Sequence, residues 1–87
     1  MQETTDVILN WLKRLPAKAG NGGIGRETDL IEQGVIDSIE ILNLVCFLEE
    51  RFSLVLPIEE FVPANFRTPW AVAALVAKLQ AARGLKA

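Results

Sequence analysis

The tightest constraint on this chain lies between Asp37 and Phe52, where a capped start and an apolar stripe specify one helix and the side it buries. Ile41, Leu44, Val45, Leu48 and Phe52 recur at intervals of three and four, the spacing of one side of a helix rather than the alternation of a strand. Asp37 followed three residues on by Glu40 is a capping pair. The Asp37 carboxylate accepts orphan amide protons of the first turn, and Glu40 reaches back to the cap. The helix is therefore predicted to begin after Asp37. With Asp37 capping, Ser38 falls at the first helical position with its hydroxyl unspent. An anionic group added there would sit against the positive end of the helix dipole.

The rest of the chain reads as further helices. Thr4, Thr5 or Asp6 can cap a first one that carries Ile8, Trp11, Leu12 and Leu15 at helical spacing, with Pro16 marking its end. Residues 17–26 hold Gly20, Gly22, Gly23 and Gly25 and are predicted to form a mobile loop. Gly20, Gly22 and Gly25 match Gly-x-Gly-x-x-Gly literally, but a dinucleotide fingerprint needs a strand before it and a helix after it within a βαβ unit. Neither is present, so the segment is read as a loop. Ser53-Leu54-Val55-Leu56 could pass for a strand, yet the chain offers it no partner strand, which favours a connecting loop. Pro57-Ile58-Glu59-Glu60-Phe61 suits a short helix stopped by Pro63. In the last helix Thr68 caps, Pro69 takes the first position, and Val72, Leu75, Val76 and Leu79 share a face, with Gly84 as terminator. The expectation is an all-α, four-helix bundle with a short third helix. It forms one domain over residues 1–87, with a tail from about 84 to 87.

Composition enters mainly by exclusion. The formal net charge is −2 with no Lys/Arg cluster, which argues against neutralising the phosphates of nucleic acid. No apolar run is long enough to span a bilayer and the polar start is unlike a secretory signal, so a cytoplasmic protein without a membrane role is expected. The one cysteine, Cys46, has no internal disulfide partner, in keeping with a reducing compartment. With no histidine in the chain, Ser-His-Asp and Cys-His catalysis are excluded, and the usual tetrahedral zinc site lacks ligands. Glu49-Glu50 and Glu59-Glu60 are neighbours in sequence, hence about 100° apart on a helix, and do not converge on one substrate. Catalysis by the chain itself is not expected.

A second side of the helix after Asp37 is also apolar. Ile39, Leu42 and Cys46 lie roughly 100 to 160° around from Ile41, beyond what one core stripe requires. From the residues alone, this sector either packs on the glycine-rich loop or another helix, or faces solvent as a patch for a partner.

The run Leu30-Ile31-Glu32-Gln33-Gly34-Val35-Ile36-Asp37-Ser38-Ile39-Glu40-Ile41 resembles the attachment motif of acyl and peptidyl carrier proteins, over roughly Glu27 to Leu79. In that family the serine after the aspartate carries a 4′-phosphopantetheine arm derived from coenzyme A. The resemblance thus gives that role to Ser38, with Asp37 as the cap beside it. The usual core is Asp-Ser-Leu, often preceded by Gly. Here Ile39 replaces the Leu, and Val35-Ile36 separate Gly34 from Asp37. Positions one, four and eight after the serine form the family's partner-recognition surface, which places Ile39, Leu42 and Cys46 on it. Glu40, Glu49 and Glu50 are acidic candidates around the same surface.

The last third is similar to D-alanyl and stand-alone aminoacyl carriers. The similarity runs through Pro57-Ile58-Glu59-Glu60-Phe61, Phe66 and Thr68-Pro69, and departs from them at Val62, Pro63 and Trp70. Carriers of primary fatty-acid synthesis are strongly acidic. This chain is not, and Asn43 stands where an acidic residue would be expected, which favours a dedicated carrier in a specialised pathway. The resemblance implies a monomeric carrier holding an acyl or aminoacyl group as a thioester. Its partners would be a phosphopantetheinyl transferase, an acyl- or aminoacyl-activating ligase or synthase, and a downstream acyltransferase or tailoring enzyme. The alternative is an unmodified helical interaction module that docks through Ile39, Leu42 and Phe47. Only the carrier reading requires the Ser38 hydroxyl.

Overall fold

The computed structural model describes residues 2–15 and 24–85. Among the described residues four α-helices follow in order, α1 Gln2–Lys13, α2 Ser38–Phe52, α3 Pro63–Phe66 and α4 Pro69–Leu85, with one 3-10 turn at Ile58–Glu60 ahead of α3. Among the described residues there is no strand, and no helix is long and apolar enough to cross a membrane. The fold is the all-α bundle expected of a carrier protein, and α2 lies where its cap and stripe place it.

The core is built from the predicted stripes. Ile8 and Leu12 of α1, Leu44, Val45 and Leu48 of α2, Phe66 of α3, and Val72, Ala73, Leu75 and Val76 of α4 are all buried. Ile41 and Phe52 sit half-buried at the edges of the α2 stripe, packed against this core. The loops add Ile24, Leu30, Val35, Ile36, Leu54 and Leu56. In the segment after α2, Leu54 and Leu56 turn inward while Val55 points out, so it has a strand's alternation without a strand's partner. Glu49 makes that possible. Its carbonyl accepts from the Ser53 and Leu54 amides as α2 ends, and its carboxylate Oε2 accepts from the Leu56 amide at 2.9 Å. Ser53 takes the left-handed conformation, φ +52°, that commonly closes a helix.

Four local expectations are corrected. Thr4, Thr5 and Asp6 do not cap α1, which already runs from Gln2. Thr5 is buried one turn before Ile8, so the inward stripe begins earlier than its apolar residues suggest. Leu15 lies just past the end of α1, half-buried against the core; Pro16 and residues 17–23 of the glycine-rich loop lie outside the described residues. Pro63 starts a helix instead of stopping one. It occupies the first turn of α3, where a missing amide proton costs nothing and its fixed φ is already helical. Gly84 does not terminate α4, which continues to Leu85. One glycine costs about 1 kcal/mol relative to alanine inside a helix, too little to end one this well packed.

Candidate functional site

The approach to α2 is fixed by main-chain hydrogen bonds. The Leu30 carbonyl accepts from the amides of both Val35 and Ile36 at 2.9 and 3.2 Å, while the Leu30 amide donates to the Arg67 carbonyl at 2.6 Å. Asp29 caps the turn that follows, its Oδ1 accepting from the Glu32 amide at 2.8 Å. The turn closes through Gly34 at φ +72°, a conformation in which any side chain would be strained even though the surrounding space is open. Val35 and Ile36 are buried, and the next three residues, Asp37, Ser38 and Ile39, are exposed. The chain is thus pinned immediately before the residues it presents.

The capping box forms in full. Asp37 is extended, φ −114° and ψ −172°; its Oδ1 accepts from the Glu40 amide at 2.9 Å, and Glu40 Oε1 accepts from the Asp37 amide at 3.1 Å. Ser38 is the first residue of α2, exposed, with no hydrogen bond from its hydroxyl to any other described residue. Asp37 and Glu40 therefore frame the start of α2, and the Ser38 hydroxyl stands exposed between them.

Around the hydroxyl the surface is apolar. Ile39 is 70% exposed and Leu42 55% exposed, and Cys46 is an exposed free thiol, so the second apolar side of α2 faces solvent. Phe47 does not belong to that face. It is half-buried, its ring stacked on Trp11 at 5.7 Å between centroids, because a large aromatic on the flank of α2 meets α1 before it meets water. Of the acidic candidates, Glu40 completes the cap and Glu49 holds the Leu56 amide, while Glu50 is exposed on the outside of α2.

Ser38 also lies on the edge of a groove of about 270 Å³, lined by Ile41, Leu42, Phe61, Val62, Pro63 and Phe66. Helical spacing does not predict the wall from Phe61 to Phe66, because it says nothing about where an irregular segment lies. Phe61 packs edge-on to Phe66, ring centroids 6.5 Å apart. Just before this wall, Glu60 Oε2 accepts from Lys78 Nζ at 2.8 Å and Glu60 Oε1 from Asn65 Nδ2 at 3.0 Å. The Lys78 hydrogen bond, joined by that of Asn65, holds the Glu60 carboxyl below its ordinary value near 4.5 despite the opposing effect of desolvation. A second cavity, about 420 Å³, is lined by Arg26, Glu27, Thr68 and Trp70, with the Arg26 guanidinium 5.7 Å from the Trp70 ring centre. Its one hydroxyl is committed, because Thr68 Oγ1 accepts from the Ala71 amide at 3.0 Å. No group of acidic, cysteine or histidine side chains among the described residues could hold a metal ion.

No family model matches the chain. Probable acyl carrier protein PigG of Serratia sp. is 37% identical over 59 residues, 68% of either chain. D-alanyl carrier protein 2 of Lactiplantibacillus plantarum is 30% identical over 80 residues, 92% of this chain and 98% of that one. The chain belongs to the carrier proteins. Lincomycin biosynthesis protein LmbN of Streptomyces lincolnensis is 33% identical over 76 residues, which are 87% of this carrier protein but only 27% of LmbN.

Proposed function

We propose that Ser38 Oγ of this carrier protein bears a 4′-phosphopantetheine arm, and that the protein delivers an acyl or aminoacyl group, held as a thioester on the arm's thiol, to partner enzymes. The observation that carries this reading is the exposed hydroxyl at the first position of α2, left unspent because Asp37 does the capping. The residues present fit the group. A phosphate on Ser38 Oγ would meet the positive end of α2, and the apolar groove alongside offers a bed for uncharged atoms beyond it.

Attachment forms a phosphodiester at Ser38 Oγ as the pyrophosphate bond of coenzyme A breaks. Adenosine bisphosphate leaves, and the serine proton passes to a base of the phosphopantetheinyl transferase. Loading falls to a ligase or synthase, and removal to an acyltransferase or tailoring enzyme. The carrier contributes tethering, which raises the local concentration of cargo, and a face by which partners select it. The name of LmbN favours a specialised biosynthetic pathway, that of PigG an acyl cargo, and that of D-alanyl carrier protein 2 an aminoacyl cargo. A cytoplasmic, monomeric carrier domain suits this role.

The test is intact mass after incubation with coenzyme A and a broad-specificity phosphopantetheinyl transferase. The parent should gain one phosphopantetheine and Ser38→Ala none. An unmodified, folded parent beside a modified control carrier would overturn the proposal.

A further inference from the structure

An enzyme that reaches Ser38 Oγ must cover what surrounds it, and half of those surroundings do not belong to α2. Phe61 and Val62 stand across the groove from Leu42, both exposed, on a segment with little secondary structure of its own. Among the described residues their backbone is held by short-range bonds: the Phe61 amide donates to the Ile58 carbonyl at 3.0 Å, the Val62 amide to the Glu60 carbonyl at 2.9 Å, and the Val62 carbonyl accepts from the Asn65 amide at 3.0 Å at the start of α3. Such segments open locally at low cost unless something ties them to the bundle.

Glu60 is the tie. Its carboxylate reaches Lys78 on α4 and Asn65 on α3, and Asn65 Nδ2 also donates to the Glu60 carbonyl at 2.8 Å. One residue, immediately before Phe61, thereby joins the 3-10 turn to two helices. The Glu60 side chain is 19% exposed and that of Lys78 67% exposed, so the pair spans the surface without entering the core.

We infer that Glu60 is a positioning residue for the carrier's partner-binding face: its bonds to Asn65 and Lys78 hold Phe61 and Val62 in place as the second wall of the surface over Ser38. The inference rests on the reading of Ser38 as the attachment site. It goes beyond that reading by giving the docking face two walls, and by assigning the position of one of them to a residue that does not itself line the groove. A wall that is correctly placed only part of the time weakens apparent binding by the inverse of that fraction and leaves the reactivity of the hydroxyl unchanged.

The experiment measures kcat and KM of a phosphopantetheinyl transferase for the parent, Lys78→Met and Glu60→Ala, with amide hydrogen exchange at Phe61 and Val62. Lys78→Met changes only an exposed side chain and keeps the Asn65 bonds. It should raise KM about twofold to threefold, and Glu60→Ala about fivefold, both at unchanged kcat. Exchange at Phe61 and Val62 should accelerate in the same order, while the buried amides of α2 and α4 keep their protection. An unchanged KM alongside faster exchange at these amides would overturn the inference and leave Ser38 as the attachment site. So would unchanged exchange, or a parallel fall of kcat, melting temperature and protection throughout, which would mark Glu60 as merely structural. A parent that gains no phosphopantetheine would remove the reading beneath it as well.

Discussion

The two longest helices open on similar residues and reach opposite results. At the start of α4, Thr68 is half-buried and its hydroxyl is consumed in capping, accepting the Ala71 amide at 3.0 Å. At the start of α2 the carboxylate of Asp37 does the equivalent work on the Glu40 amide at 2.9 Å, and the hydroxyl one residue later stands in solvent. Each helix has one first-turn amide capped by a side chain. Only α2 has an oxygen left over. Whether a hydroxyl near a helix start is available for chemistry is decided by which neighbouring residue caps.

The contrast can be broken most sharply at the serine itself. Ser38→Ala should abolish phosphopantetheine gain in intact-mass measurements and leave the thermal midpoint within error of the parent, since an exposed side chain without a partner contributes little stability. The two faces of α2 separate next. Leu48→Ala, in a fully buried position, should cost about 2 to 5 kcal/mol by denaturant titration. Leu42→Asp, on the exposed face, should leave that titration nearly unchanged and slow transfer to or from a partner enzyme by about tenfold, a loss of roughly 1.4 kcal/mol. Unfolding by Leu42→Asp would place that face in the core instead.

The caps themselves come third. Thr68→Ala and Asp37→Ala should each lower stability by about 1 kcal/mol. Only the Asp37 variant should also slow modification of Ser38, because the Thr68 hydroxyl lies at a helix start that takes no part in it. Acid gives the smallest effect. Glu60 has its carboxyl pKa lowered in the folded state, so its contribution is fully present above the ordinary value near 4.5 and is lost as pH falls through the lower, folded value. The stability difference between parent and Glu60→Gln should therefore stay constant from neutral pH down to the ordinary carboxylate range, then shrink below it.

Much of this was legible because it is local. A cap three residues from its partner and an apolar stripe at helical spacing are written within a few turns, so the bounds of α2, the Asp37–Glu40 pair and the inward set Leu44, Val45 and Leu48 could be read from the chain. The exposure of Ile39, Leu42 and Cys46 could not. Whether a surplus apolar sector is covered depends on neighbours distant in sequence. The same limit hid the partnership of Phe47 with Trp11 and the arrival of Phe61 and Val62 beside Ser38. Thr5 reads as a boundary because it is polar, whereas a threonine on the inward side of a helix can be buried. Pro63 is ambiguous in sequence because proline both ends and begins helices, and only the backbone around it tells which.

Leu30 gives the site a kind of inheritance. The bonds that set where α2 begins run from its carbonyl to Val35 and Ile36 and from its amide to Arg67, and all of them are main-chain bonds. Apart from proline, no substitution removes a main-chain donor or acceptor. The exposed side chains around Ser38 can therefore drift while the serine keeps its place, so that under the proposed role a scaffold of this kind could change partner enzymes without moving the attachment point.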